Sequence, residues 1–191
     1  MATSTAQRTG IWIIAVVLTV GTVAGFIAMI LAPQNDAKDQ AKQEADYAQY
    51  MKEYQEQQAK AREENAKASQ PLDGYSAKAF KPGAVKELKV ETLVQGKGAT
   101  LKADSTVTAS YFGWTSDGKI FDSSKKNGTN TPAEFSLTGV IPGWTEGLTG
   151  VKVGSTVRLT IPTDKAYGDT AAETGNPEGP LQFIVQIKDL K

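Results

Sequence analysis

The chain contains no histidine and no cysteine among its 191 residues. Without histidine, the Ser-His-Asp and Cys-His systems that activate a nucleophile are excluded. The same two absences exclude thiol redox chemistry and zinc sites built from nitrogen or sulfur ligands. A protein without thiols folds in either an oxidising or a reducing environment, so the lack of cysteine does not indicate the cellular compartment. We expect no metal and no other cofactor, and any catalysis must depend on carboxylates, hydroxyls, lysine or the shape of a site.

An excess of charge of either sign is also missing. Lysine plus arginine number 21, aspartate plus glutamate number 21, and the formal net charge is zero. Proteins that bind nucleic acid neutralise phosphates with clustered positive charge. The balance therefore argues against nucleic acid as a partner.

One long stretch, Ile11–Leu31, has no charged residue. As a helix it would measure about 32 Å, enough to cross the hydrocarbon core of a membrane. A cleaved signal peptide is the main alternative. It is less favoured because the apolar run is long for such a peptide and because Pro33 follows Ala32, which makes a poor cleavage site. We predict an uncleaved, single-pass transmembrane helix.

The charges beside this helix give weak evidence on its orientation. Arg8 lies in the short tail of residues 1–10, whereas Lys38 and Lys42 on the other side are mixed with acidic residues. Acidic residues contribute little to the positive-inside rule. We expect the tail to stay inside the cell and the C-terminal part to be extracytoplasmic.

Residues 32–69 change in composition to alanine, glutamine, glutamate, lysine and aspartate. Most of these residues favour helix, and their apolar face is narrow and mostly alanine. A stable coiled coil would need larger residues repeated over several heptads. We therefore predict a polar helical stalk, followed by a linker over residues 70–84, where Pro71 and Gly74 break the helix.

Residues 85–191 show the patterns of strands and turns. Apolar and polar residues alternate in KELKVETLV, TVTASYFGW, STVRLTIP and LQFIVQIKDL, and Asp117-Gly118 is a strong turn signal. Helix potential is confined to about Trp144 to Leu148. Many strands with one short helix predict an α+β domain, in which the helix lies on one face of an antiparallel sheet and part of that face stays open for a ligand.

The same region, from about Lys86 to Lys191, resembles an FKBP-type peptidyl-prolyl cis-trans isomerase domain. The matching blocks are ASYFGWTSDGKIFDSS, FSLTGVIPGWTEGLTGVKVGSTVRLTIP, DKAYG and LQFIVQIKDL, in the family's order and spacing. The resemblance implies a strongly curved antiparallel β-sheet wrapped around one short α-helix, with a pocket for proline between them. It also implies a membrane-anchored bacterial isomerase whose partners are proline-containing polypeptides.

The pocket residues implied by the resemblance are Tyr111, Phe121, Asp122, Val140, Ile141, Trp144, Tyr167 and Phe183. Trp144 would be the floor under the proline ring. Val140 and Ile141 would form one wall, and the backbone N–H of Ile141 would donate to a ligand carbonyl.

The other implied roles concern the remaining walls and the polar groups. Tyr111, Phe121 and Phe183 would complete the walls, and the hydroxyl of Tyr167 at the rim would donate to a ligand carbonyl. Asp122 would bond with the hydroxyl of Tyr111. Taken without the resemblance, each aromatic residue is more simply explained by core packing. Core packing remains the better explanation for Phe135, Leu137, Leu148, Val157, Leu159 and Ile161.

The implied chemistry suits a chain without histidine or cysteine. Rotation about an X–Pro bond is opposed by amide resonance, with a barrier of about 18 to 20 kcal/mol, and it breaks no bond and moves no proton. An apolar pocket disfavours the planar amide more than the twisted one, because the twisted carbonyl needs less hydration. Asp122 is thus interpreted as an orienting group and not as a general base.

Two departures from the family pattern are present. Ala133 stands where many relatives carry an aromatic residue, and the loop over residues 169–180 is polar and acidic. Both changes predict weakened binding of tacrolimus- or rapamycin-like macrolides and reduced, but present, activity. They also keep alternatives open: a catalytically weak module or chaperone that binds proline peptides at the membrane, or a protein whose stalk is the interacting part.

Overall fold

The structure, a computed structural model, describes residues 37–191. The predicted tail and the predicted membrane helix, Ile11–Leu31, lie outside these residues. Helix α1 spans Ala37–Ala68 and is the polar stretch expected to be helical. Within the described part of the chain, no helix has the length and apolar character needed to cross a membrane. Glu64–Lys191 forms one compact unit, and the preceding part of α1 belongs to a separate one.

The compact unit contains strands and one further α-helix, α2. The elements are β1 (Lys89–Val94), β2 (Thr106–Trp114), β3 (Ile120–Ser123), β4 (Lys125–Lys126), β5 (Thr129–Asn130), β6 (Ala133–Ser136), α2 (Pro142–Leu148), β7 (Thr156–Ile161) and β8 (Leu181–Leu190). Short 3₁₀ turns occur at Pro82–Ala84, Thr163–Lys165 and Ala172–Thr174.

The main sheet is antiparallel throughout, in the order β1-β7-β8-β2-β3, and β6 also pairs with β2. The long strand β2 therefore pairs with three strands, β3, β6 and β8. Register shifts interrupt β2 between Thr108 and Ala109 and between Gly113 and Trp114. Such shifts bend a strand and increase its twist. The antiparallel sheet with few helices confirms the predicted fold class for this part of the chain.

Helix α2 packs on one face of the sheet, against β7. Two of its glycines make the approach close: a Cβ atom at Gly143 would lie 2.4 Å from Cγ2 of Ile161, and one at Gly147 would lie 2.9 Å from Cδ2 of Leu159. The main core lies between α2 and the sheet, and it contains Leu137, Leu148, Val157, Leu159 and Ile161 as expected. Alternation along β2 directs Val107, Ala109 and Tyr111 into this core.

The opposite face of the sheet is covered by residues that the sequence analysis assigned to a linker. Leu72 is buried against Phe112, Trp114 and Ile184 of β2 and β8. The indole N–H of Trp114 donates to the carbonyl of Lys78 at 3.0 Å. The physical reason is that β2 carries large apolar residues on both of its faces, so the second face also requires cover. Tyr75, Ala77, Phe80, Leu93 and Ile120 pack around the same cluster.

Candidate active site

The indole of Trp144, at the start of α2, lies at the centre of a cluster of aromatic rings. It meets the ring of Tyr111 with centroids 5.5 Å apart, that of Phe183 at 5.4 Å and that of Phe135 at 5.2 Å. The interplanar angles of 85°, 87° and 66° are edge-to-face arrangements, which aromatic pairs favour. Trp144 is only 4% exposed, so its orientation is fixed by its neighbours.

The indole nitrogen of Trp144 is buried and has no hydrogen-bond partner among residues 37–191. Buried tryptophan N–H groups usually have a partner, because an unpaired donor keeps its desolvation cost. The indole of Trp144 therefore carries an unpaired donor within the ring cluster.

Phe121 of β3 and Phe183 of β8 form a second edge-to-face pair, with centroids 5.6 Å apart and an angle of 89°. Both rings lie over Gly113 of β2. A Cβ atom there would be 2.4 Å from Cε1 of Phe183 and 2.7 Å from Cζ of Phe121. Glycine at this position therefore allows the two rings to lie against the backbone of β2.

Asp122 of β3 accepts hydrogen bonds at both carboxylate oxygens. The hydroxyl of Tyr111 donates to Oδ2, while the backbone N–H of Ser123 donates to Oδ1 at 2.9 Å. The side-chain amide of Asn65 also donates to Oδ1, at 3.0 Å, and the ammonium of Lys126 lies 3.5 Å from the same oxygen. A carboxylate engaged by this many donors is held in one orientation.

The surroundings of the Tyr111 hydroxyl raise its pKa. Burial raises the pKa of Tyr111 well above 10.0, and the charge of Asp122 and its hydrogen bond raise the pKa further. Tyr167 adds to the shift and so lies within electrostatic reach of Tyr111. Tyr111 thus remains a protonated hydrogen-bond donor across the neutral range.

The remaining predicted residues lie at the edge of the same cluster. Val140 and Ile141 precede α2, and Ile141 is its N-cap residue. With Phe121 and Tyr167 they are partly buried and pack against the core that contains Trp144. All the side chains named by the sequence analysis are thus brought together, at one side of the sheet and around the first turn of α2.

The structure also adds residues that the sequence analysis did not assign to the site. Phe135 was expected to be a core residue, and it is, yet its ring also contacts Tyr111 at a centroid distance of 5.3 Å. Asn65 and Lys126 contact Asp122 directly. No pattern in the sequence pointed to either residue, because a four-residue spacing indicates a contact only within a helix and Asp122 and Lys126 lie in strands.

The structure describes both departures from the family pattern, and Ala133 lies beside the core that holds this cluster. Ala133 of β6 is partly buried, packs against the main core and pairs with Ala109 of β2. In the loop over residues 169–180, Ala171 is fully buried and its carbonyl accepts from the N–H of Asn176 at 2.8 Å. The loop is therefore folded around a buried alanine and an internal hydrogen bond, while most of its polar residues are exposed.

The part of the chain that holds this cluster is similar to known proteins. The profile of the family described as FKBP-type peptidyl-prolyl cis-trans isomerase matches residues 97–188. The FKBP-type peptidyl-prolyl cis-trans isomerase FkpA of Escherichia coli (strain K12) is 41% identical over 104 residues, which cover 54% of this chain and 38% of that protein. The outer membrane protein MIP of Legionella longbeachae is 40% identical over 129 residues, which cover 66% of this chain and 52% of that protein.

A solved structure resembles the chain over a longer range. The crystal structure of FkpA from Escherichia coli has a TM-score of 0.50 and 29% identity, covering 91% of this chain and 82% of that one. The matches to the two curated relatives thus span between about a third and about half of their lengths. The profile and the relatives agree that residues 97–188 form an FKBP-type peptidyl-prolyl cis-trans isomerase domain.

Proposed function

We propose that the chain is a peptidyl-prolyl cis-trans isomerase that accelerates X–Pro rotation in folding polypeptides. The observation that carries the proposal is the ring cluster around Trp144, joined through Tyr111 to the hydrogen-bonded Asp122. This arrangement provides an apolar floor with a single ordered polar edge. Uncatalysed prolyl isomerisation takes tens of seconds or more and limits folding, so a catalyst of this step acts on folding proteins.

In this proposal the proline ring lies on Trp144, and Val140 and Ile141 form the adjacent wall. The backbone N–H of Ile141 and the hydroxyl of Tyr167 donate to carbonyls of the peptide and hold it on either side of the rotating bond. Removal of water favours the twisted amide over the planar one, because the planar carbonyl loses more hydration. The barrier falls without any proton transfer.

Asp122 orients Tyr111 in this mechanism and does not act as a base. Its carboxylate oxygens already accept from Tyr111, Ser123 and Asn65. A general base needs an oxygen within reach of the proton that it removes, and isomerisation removes none. The expected consequence is a rate that changes little between about pH 6 and pH 9.

A protease-free isomerisation assay on a proline tetrapeptide tests the proposal. Replacement Trp144→Leu removes the floor and should lower kcat/KM by about tenfold or more. Tyr50→Leu is the matched control, because Tyr50 is an exposed aromatic residue of α1. A wild-type rate equal to that of Trp144→Leu would refute the proposed catalysis.

The second candidate is a module or chaperone that binds proline peptides without useful turnover. Ala133, which leaves one wall low, is the observation that favours it. The two candidates differ in one measurement on the same tetrapeptide: a binding module shows affinity that depends on Trp144 but no rate above the uncatalysed reaction.

We also propose that the isomerase is held at a membrane and faces the extracytoplasmic side. The supports are the uncharged stretch Ile11–Leu31, the preceding tail of residues 1–10 with Arg8, and the polar stalk that follows over residues 32–69. One relative bears the name of an outer membrane protein. Protease added to intact cells should digest the domain if it faces outward, after the outer membrane is opened where one exists. Full protection under those conditions would refute the topology.

A further inference from the structure

The last turn of α1 reaches the candidate site through Asn65. Its side-chain amide donates to Oδ1 of Asp122 at 3.0 Å and to the backbone carbonyl of Phe121 at 3.3 Å. One NH₂ group thus joins the main chain of β3 to the carboxylate of the next residue. Asn65 lies 57 positions before Asp122 in the chain, so the contact depends entirely on how the end of α1 is placed.

The end of α1 is fixed by hydrogen bonds to the β4–β5 hairpin. The carbonyl of Ala68, at the end of the helix, accepts from the N–H of Asn127 at 3.1 Å. The N–H of Gln70 donates to the carbonyl of Lys125 at 2.9 Å, and the side chain of Gln70 accepts from the N–H of Gly128 at 2.9 Å. The hairpin follows β3 directly, so the same short segment holds both Asn65 and Asp122 in place.

The carbonyl of Gln70 completes this attachment by accepting from the hydroxyl of Ser123 at 2.7 Å. The backbone of Ser69 pairs with Lys126, and the hydroxyl of Ser69 donates to the carbonyl of Asn65 at 2.7 Å. The last helical turn is thus attached on several sides to the strand and hairpin that carry the polar edge of the site.

We propose that Asn65 is a positioning residue of the isomerase: it holds Asp122 in the rotamer that accepts from Tyr111, and so makes the last turn of α1 part of the site. The inference rests on the proposed function. Asn65 occupies Oδ1 and leaves Oδ2 to the hydroxyl of Tyr111. Without Asn65, only the N–H of Ser123 and the ammonium of Lys126 hold Oδ1. The carboxylate is then held less firmly, and the hydroxyl of Tyr111 is oriented less well beside Trp144.

Replacing Asn65 by leucine or aspartate in the full 191-residue chain tests the inference. Asn65→Leu removes the donor at nearly the same size, and we expect kcat/KM to fall about fivefold or more at every pH. Glu64→Leu is the matched control, because Glu64 is the exposed neighbour in the same helical turn. The control should retain the wild-type rate and melting temperature.

Asn65→Asp should give a pH profile that a merely structural role would not produce. Two carboxylates at this distance cannot both stay ionised without repulsion, but a shared proton restores a donor to Asp122. The activity of Asn65→Asp relative to wild type should therefore rise as the pH falls from about 8 to about 5. Tyr111 and Lys126 also contact Asp122 and can titrate. Both are present in wild type and in every variant, so their own titration contributes equally to the two activities that are compared.

The outcomes separate the inference from the proposed function. Wild-type rates in Asn65→Leu, or equal losses in both variants at every pH together with a lowered melting temperature, would overturn the positioning role while the isomerase stands. If the wild-type chain does not catalyse at all, an NMR titration of the Tyr111 ring still decides. Release of Asp122 should make Tyr111 titrate at lower pH in Asn65→Leu, and an unchanged or higher titration range would refute the inference.

Discussion

The ring of Phe183 lies so close to the backbone of Gly113 that a Cβ atom at Gly113 would be 2.4 Å from Cε1 of the ring. Phe183 is buried and its ring also contacts that of Trp144, so it has little freedom to move away. The missing side chain at Gly113 therefore makes room for the two phenylalanine rings beside Trp144.

Gly113→Ala is predicted to displace Phe183 and to disturb the pocket. We expect a loss of about 1 to 3 kcal/mol in the free energy of unfolding, the usual cost of overpacking a core, together with a lower kcat/KM. Gly83→Ala is the control, because a Cβ atom at Gly83 meets nothing within 4 Å. Denaturant unfolding and the isomerisation assay give the two values, and an unaltered stability in Gly113→Ala would contradict the packing described here.

Tyr111→Phe is predicted to change how stability depends on pH. The folded-state pKa of Tyr111 is raised above 10.0, so the stabilisation from its hydroxyl is complete below the unfolded pKa and is lost as the pH rises through the folded value. Wild type should exceed Tyr111→Phe in unfolding free energy at pH 7, and the difference should shrink above about pH 10. Urea unfolding across this range measures it. Tyr50→Phe, at an exposed position, should follow the wild-type curve, and a constant difference between wild type and Tyr111→Phe would show that the hydroxyl is not coupled to folding.

Leu72→Ala is predicted to destabilise the domain although Leu72 lies in a segment without helix or strand. Leu72 is 3% exposed against Phe112 and Trp114, and loss of a buried leucine side chain costs about 2 to 5 kcal/mol. Val94→Ala, at a residue that is 49% exposed, should cost less than about 1 kcal/mol. Thermal and denaturant unfolding compare the two variants. Equal effects would indicate that residues 70–84 do not cover the sheet in solution.

Ala133→Phe is predicted to strengthen ligand binding. A phenyl ring there would raise the low wall beside the ring cluster and add apolar area, worth about 1 to 2 kcal/mol, or about five- to thirtyfold in the Kd for a tacrolimus-like macrolide. Calorimetry or fluorescence titration measures the Kd. Glu134→Phe is the control, because Glu134 alternates to the exposed face of β6, and an equal gain in both variants would show a non-specific effect.

The sequence restricted the chemistry and named most of the residues of the candidate site. Because histidine and cysteine are absent, only a reaction that needs neither could be proposed, and the resemblance to the FKBP family implied the residues that meet around Trp144. The strands were recognisable because alternation and turn residues are local patterns that depend on a few neighbouring positions.

The tertiary structure alone decided how the segment over residues 65–84 contacts the sheet. The segment around Leu72 covers the second face of the sheet, and Asn65 donates to Asp122, although neither stretch shows alternation or a recognisable motif. Such contacts join residues that are far apart in the sequence, such as Leu72 and Phe112 or Asn65 and Asp122, and no local periodicity encodes them. They arise because the outer face of β2 is apolar and must be covered, and because the covering chain brings the end of α1 beside β3.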